Sequence, residues 1–141
     1  MQKTKVTASL TLEAAQFLAQ KAIDKAVEMN LLMNVVVVDT SGNLLVALRM
    51  PGAPLPARDF AEKKAYTAVN FGLSTINWKD RLVDRPVVMV GLAQHPKVAM
   101  FGGGEPVVID GVVVGAIGVA GGKETDDILC AQFALDAFAR L

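Results

Sequence analysis

Few side chains of this sequence could do chemistry, because only 20% of its 141 residues are charged. Lys64 stands on the apolar stripe of a predicted helix, three residues after Ala61. Its stem can cover apolar surface while its amine reaches water. Equally, the amine can point into a pocket and pair with an anion or with a carboxylate such as Asp39. In an enzyme acting on a small carboxylate or carbonyl metabolite, Lys64 is the candidate electrophile or base, with Asp39 or Glu105 as its proton partner.

Two further features suit a flat or anionic ligand. Arg49 ends a predicted strand, where its guanidinium could hold an anion through two hydrogen bonds or simply stay solvated. Three consecutive glycines at 102–104 permit backbone dihedrals that are closed to other residues. Such a run could form a wall that a ligand approaches closely, or it could let the chain turn between two strands. The predicted ligand-binding residues are Arg49, Lys64, Gly102, Gly103, Gly104 and Glu105.

The sequence predicts no metal site built from several histidines or cysteines, because it holds one of each. His95 lies in a predicted loop, where it could be a haem axial ligand, an acid–base group or a solvated side chain. Cys130 falls among apolar residues of a predicted helix and is expected to be a small core residue. A single cysteine fits a reducing compartment, and we expect the protein to be cytoplasmic.

Glycine spacing argues against nucleotide binding. Gly122-Lys123 resembles the end of a phosphate-binding loop, but the positions that this loop requires hold Ile117 and Glu124 instead of Gly and Ser or Thr. Asp126 and Asp127 stand at the start of the last predicted helix. Two carboxylates there would repel a phosphate from the positive end of the helix dipole. No nucleotide cofactor is therefore expected.

Three amphipathic helices must position these residues. The first follows Thr11, a good N-cap, and ends near Asn30. The second runs over Pro56–Phe71 and ends at Gly72, and the third over about Asp126–Arg140. The predicted inner face of the second helix consists of Ala57, Phe60, Ala61, Lys64, Ala65 and Ala68.

Five strands are predicted, at residues 35–38, 44–49, 98–101, 107–109 and 112–119. Asp110-Gly111 between the last two is a strong hairpin signal. Leu73–Pro86 shows no clear pattern beyond a short helix, and Pro86–Leu92 is apolar without alternation, which fits a strand or a packed loop. Hairpin-linked strands with three one-sided helices indicate an α+β fold with an antiparallel sheet.

Composition narrows the classes of partner. The length favours a single domain over residues 1–141. A net charge of zero removes the electrostatic basis for binding nucleic acid or an acidic membrane, and the apolar runs are far shorter than the ~20 residues of a membrane helix. Apolar residues make up 52% of the chain, so self-association is expected. The apolar residues around Pro86–Leu92, Trp78 and Phe71 are the expected oligomer surface.

Several stretches together resemble the GlcG/HbpS-like family, which includes the C-terminal domain of PduO-type proteins. The matching words are Phe101–Val107 (FGGGEPV), Asp110-Gly111 and Val114–Gly122 (VGAIGVAGG). The tail from Asp126 to Asp136 continues the similarity, and Val37-Val38-Asp39 belongs to it in the first half. The tail is most similar to small proteins encoded beside glycerol or diol dehydratases.

The resemblance implies a profilin-like, three-layer α/β/α fold, with a five-stranded antiparallel sheet and helices on both faces. It also implies homo-oligomers, often octamers, and binding of haem or a corrinoid-related molecule in some members. No residue here matches a family haem ligand, so the cofactor stays open. The leading hypothesis is a small-molecule binding accessory protein. The alternatives are the enzyme described above and an assembly protein of a dehydratase operon.

Overall fold

The predicted helical stripes and hairpins fold into one four-stranded sheet between layers of helices. The computed structural model describes residues 1–141. Its elements are α1 (Leu12–Glu28), β1 (Asn34–Asp39), β2 (Leu44–Arg49), α2 (Leu55–Phe71), a 3-10 turn (Thr75–Asn77), α3 (Trp78–Leu82), α4 (Pro86–Ala93), β3 (Gly104–Ile109), β4 (Val112–Ala120) and α5 (Glu124–Ala139). None of the helices is long and apolar enough to cross a membrane.

All neighbouring strands are antiparallel, in the order β2-β1-β4-β3. The β-branched run Val35–Val38 forms the middle of the inner strand β1 and is buried on both faces, as expected for a strand covered from both sides. Asp110 and Gly111 take the positive φ values of 51° and 76° that a tight hairpin turn requires. The predicted α+β class and the antiparallel sheet are confirmed.

The prediction of a fifth strand at 98–101 is wrong. This segment has no strand partner. Instead, the backbone N–H of Ala99 donates to the Thr67 hydroxyl of α2 at 3.0 Å. Gly102 and Gly103 then connect this side-chain anchor to β3, which begins at Gly104. Apolar composition alone could not distinguish this packed segment from a short strand.

The helices cover both faces of the sheet. α1 and α5 pack on one face, over a core that includes Leu18, Val37 and Ile117. α2 packs on the other face through small residues such as Ala61 and Ala65. The approach of α2 is so close that a Cβ at Gly118 of β4 would overlap the Ala61 carbonyl oxygen. Glycine at this position is therefore what lets α2 lie against the sheet.

Two parts of the apolar surface differ from the expectation. Pro86–Leu92 is neither strand nor loop but lies in α4, with Pro86 in the first turn, where its missing N–H costs nothing. No residue of α4 is buried, and Val87 is 84% exposed. Trp78, in contrast, is buried against Phe71, with ring centroids 4.9 Å apart. The prediction that Phe60 lies on the inner face of α2 is wrong, because its side chain is exposed.

Candidate functional site

Lys64 is completely buried, and its ammonium group joins three elements. The Nζ atom donates to Asp127 Oδ2 of α5 at 2.9 Å and to the Val119 carbonyl oxygen of β4 at 2.9 Å. The Phe101 ring lies over it, with Nζ 4.7 Å from the ring centroid. These contacts satisfy the three N–H donors of the ammonium group. Lys64 therefore links α2 to α5 across the end of the sheet.

The ionisation of this pair is governed by burial. Burial lowers the pKa of Lys64 and raises the pKa of Asp127, and the attraction between the two groups partly offsets both shifts. Asp127 Oδ1 also accepts the Gly122 backbone N–H at 3.0 Å. Sequence reasoning found Asp127 only as a residue that complements the helix dipole. An apolar stripe containing one lysine implies a buried partner, but nothing local identified it.

The three glycines provide space for this arrangement rather than an open wall. Gly103 has φ +122°, and a Cβ there would lie 2.5 Å from the Val119 oxygen and 2.9 Å from Lys64 Nζ. A Cβ at Gly104 would overlap the Lys64 carbonyl group, and one at Gly102 would lie 2.5 Å from the Ile128 side chain. All three glycines are buried. The close approach predicted for a ligand is made here by the protein itself.

Glu105 is 5% exposed, beside the 3-10 turn. Its Oε2 accepts a hydrogen bond from the Ser74 hydroxyl, and Oε1 has no partner. Burial raises the pKa of Glu105, although the Ser74 hydrogen bond acts in the opposite direction. This carboxyl group therefore holds a proton more readily than an exposed glutamate.

Asp39 closes the β1–β2 turn. Its Oδ1 accepts the backbone N–H groups of Ser41 and Asn43, each at 2.9 Å, and its Oδ2 accepts the Asn43 side chain at 3.1 Å. Partial burial raises the pKa of Asp39. The hydrogen bonds together lower this pKa by more than burial raises it, so the net shift is downward. Asp39 thus holds the turn in shape.

The three candidate catalytic residues are not joined to one another. Lys64 pairs with Asp127, Glu105 with Ser74, and Asp39 with its own turn. No hydrogen bond or ion pair connects any two of them, and the catalytic roles assigned to them stay predictions.

Arg49, by contrast, is exposed at the end of β2. Its Nη2 donates to the Ala53 carbonyl oxygen at 3.3 Å, and no carboxylate pairs with it. Directly opposite on β1 stands Asn34, whose Nδ2 donates to the Pro54 carbonyl oxygen at 3.1 Å. Together these residues hold the segment that leads into α2. Of the predicted ligand-binding side chains, Arg49 is the one with a free charged group at the surface.

His95 and Cys130 differ in their exposure to solvent. His95 is exposed in the loop after α4, and its Nδ1 accepts the Lys97 backbone N–H at 3.1 Å. Cys130 is buried in α5, as expected for a core residue. Burial and the nearby charges of Asp127 and Asp126 raise the pKa of the Cys130 thiol to about 11, so it stays protonated. No three His, Cys, Asp or Glu side chains cluster in a way that could hold a metal ion.

Comparison with known proteins finds relatives of this chain in both sequence and structure. An uncharacterized 15.0 kDa protein from the dhaT-dhaS intergenic region of Citrobacter freundii is 38% identical over the full length of both chains. The corrinoid adenosyltransferase PduO of Salmonella typhimurium is 35% identical over 85% of this chain, which spans only 36% of that enzyme. The crystal structure of a PduOC–haem complex superposes with a TM-score of 0.84 at 31% identity, covering 92% of this chain and 95% of the other.

The family profile described as "Haem degrading protein HbpS-like" matches residues 10–136. That range extends from the residue before the N-cap of α1 into the last turns of α5, so it includes the whole sheet and the Lys64–Asp127 pair. The resemblance seen in the glycine-rich words of the sequence is confirmed. The chain belongs to the HbpS-like family.

Proposed function

We propose that this protein is a non-enzymatic accessory protein that binds haem or a corrinoid-related molecule and works as a homo-oligomer. The observation that carries the proposal is the likeness to the PduOC–haem complex, which extends over nearly all of both chains. The family description also refers to haem. The match to a corrinoid adenosyltransferase supports the related ligand class, although this chain corresponds to about a third of that enzyme.

The surface offers a place for the flat, apolar face of such a ligand. Phe60 and Phe101 are 39% and 40% exposed, and their rings meet edge to face with centroids 5.4 Å apart. The Lys64 ammonium lies beneath Phe101 and holds that ring in place. Aromatic rings fixed in this way provide a stacking surface for a planar ligand at little entropic cost.

His95 does not fit iron ligation as it stands. Its Nδ1 accepts a backbone N–H, so the proton of the neutral ring is on Nε2. Histidines that bind metals normally donate Nδ1–H and leave Nε2 free for the metal. A bond from iron to His95 would therefore require the loss of this hydrogen bond. We propose that the ligand is held by its face and its polar substituents, without a bond from His95.

The assembly proposal rests on α4. An isolated helix of eight residues is not stable in water, and its stability must come from packing of an apolar face. Yet Val87, Met89 and Val90 are 84%, 45% and 54% exposed in the single chain. A second copy of the chain would cover them, and the zero net charge opposes association only weakly. The octamer implied by the resemblance stays a prediction.

An absorbance titration of the purified protein with haemin tests the proposal. We expect a saturable shift of the Soret band at micromolar protein, and the same shift for His95→Ala. A protein that shows no saturable change would sink the haem proposal. Loss of binding in His95→Ala alone would show instead that the hydrogen bond to Lys97 is given up when the ligand enters.

A further inference from the structure

A small cavity at the start of α2 contains charges that the protein itself does not neutralise. It measures about 40 Å³, and its lining residues include Arg49, Arg58 and Asn34. This is room for one water molecule or a few. Both arginines are exposed, and neither forms an ion pair with a carboxylate. Two positively charged residues that line one cavity favour an anion there.

Asn34, one of the residues that line the cavity, has an unpartnered acceptor. Asn34 is 1% exposed, and although its Nδ2 donates to the Pro54 carbonyl oxygen, its Oδ1 has no partner. A buried carbonyl without a hydrogen bond is costly, and such groups are normally satisfied by protein or by an ordered water. A water in this cavity can donate one hydrogen to Asn34 Oδ1 and the other outward, toward an acceptor at the mouth.

α2 begins three residues before Arg58, the one residue of this helix in the cavity lining, and its start favours the same charge. The N-cap of α2 is Pro54, which makes no side-chain cap, and the first turn contains no acidic residue. The positive end of the helix dipole is therefore not complemented by the chain itself. This differs from α5, whose first turn holds Glu124, Asp126 and Asp127. Two guanidinium groups, the helix start and the outward hydrogen of the water all suit an acceptor with negative charge.

We infer that Arg49, Arg58 and Asn34 form a subsite for the carboxylate of a ligand. The carboxylate lies at the mouth of the cavity, takes charge-assisted hydrogen bonds from the two guanidinium groups, and accepts the hydrogen of the water that Asn34 anchors. The inference rests on the proposed function only for the identity of the ligand: in haem, the carboxylate would be that of a propionate group. Sequence reasoning had singled out Arg49 alone, because Arg58 and Asn34 join it only through the packing of α2 on the sheet.

Titration of the isotopically labelled protein with sodium propionate, followed by NMR, tests the subsite directly. We expect saturable shifts of the Arg49 and Arg58 guanidinium signals and of the Asn34 amide. Arg58→Gln should weaken this binding by roughly tenfold, the effect of losing one charge-assisted hydrogen bond. Arg58 is the best position to change, because its side chain makes no hydrogen bond to the protein and its loss should leave the fold intact. Arg81→Gln, an exposed arginine of α3 outside the cavity lining, is the matched control and should bind like the wild type.

Haemin and its dimethyl ester separate this inference from the proposed function. If the subsite holds a propionate, the ester binds at least about tenfold more weakly than haemin, and Arg58→Gln makes this difference smaller. Propionate shifts without haemin binding would support the subsite and sink the haem proposal. The subsite would be overturned if haemin binds but propionate causes no NMR shifts. It would also be overturned if haemin binds and Arg58→Gln leaves the propionate shifts unchanged.

Discussion

At the scale of single residues, the position of Lys64 was predictable but its partner was not. The spacing of alanines placed Lys64 on the inner face of α2, where a buried amine requires a counter-charge. Asp127 is 63 residues away on a helix of the opposite layer, and only the folded sheet brings the two together. Asp39, the partner suggested from the sequence, is occupied by its own turn. Glu105 likewise pairs with Ser74, which belongs to a stretch without a readable pattern.

Replacing Lys64 tests whether its main role is to link α2 and α5. Lys64→Met leaves Asp127 buried without its counter-charge, and we expect it to lower the free energy of unfolding by about 3–5 kcal/mol. The double variant Lys64→Met, Asp127→Leu removes both charges and should recover most of that loss. Denaturation in urea measures both. A Lys64→Met protein as stable as the wild type would show that the pair does not hold the layers together.

Glu105 gives a pH dependence with a definite sign. Because its pKa is raised in the folded protein, the folded state binds the proton more strongly than the unfolded state. The protonated carboxyl group therefore contributes its full stability below pH 4.5, the ordinary pKa of a glutamate. This contribution is lost as the pH rises from 4.5 through the raised pKa of the folded protein. Glu105→Gln should remove this part of the pH dependence and be more stable than the wild type at neutral pH. Unfolding at several pH values measures it, with exposed Asp84→Asn as the control; a Glu105→Gln profile parallel to that of the wild type would refute the assignment.

At the scale of elements, the sequence predicts what local chemistry decides. Thr11 accepts the Ala14 N–H as the N-cap of α1, and Asp110-Gly111 forms the expected hairpin. The predictions from sequence are wrong for segments whose structure depends on tertiary packing. Segment 98–101 is apolar enough for a strand but is held by Thr67 of α2, and α4 carries apolar residues on all sides, so its sequence has no helical periodicity.

The close contact between α2 and the sheet should depend on the absence of a side chain at Gly118. At Gly118 an added methyl group would overlap the Ala61 carbonyl oxygen, which belongs to the backbone and cannot move aside alone. We expect Gly118→Ala to cost about 3 kcal/mol of stability, the upper end of what overpacking usually costs. Gly91→Ala in α4, where a Cβ meets nothing within 4 Å, should instead be neutral or stabilising by up to about 1 kcal/mol. Equal effects of the two changes, compared by thermal unfolding, would contradict this account of the packing.

At the scale of the whole molecule, the exposed apolar residues of α4 support the proposed assembly. Most of the buried apolar residues pack in the two cores on either face of the sheet, but no residue of α4 is buried. Composition predicted self-association, and the apolar run Pro86–Leu92 marked the region. Trp78, named with it, is instead an internal residue. The part that composition could not predict is which apolar residues the chain would bury in its own core.

The proposed assembly through α4 can be tested by placing a charge on this helix. Val90→Asp puts a carboxylate in the middle of the proposed contact, and we expect it to shift the protein to smaller species. Val27→Asp, at another exposed helical valine on α1, is the matched control and should assemble like the wild type. Light scattering after size exclusion measures the mass, and an unchanged mass for Val90→Asp would place the interface elsewhere.

Native mass spectrometry of the wild-type protein after incubation with haemin tests whether it is a haem-binding oligomer, because this method measures subunit count and bound ligand together. We expect a multiple of the chain mass that carries whole haem groups. A bare monomer at the same protein concentration, with no retained haem, would contradict it.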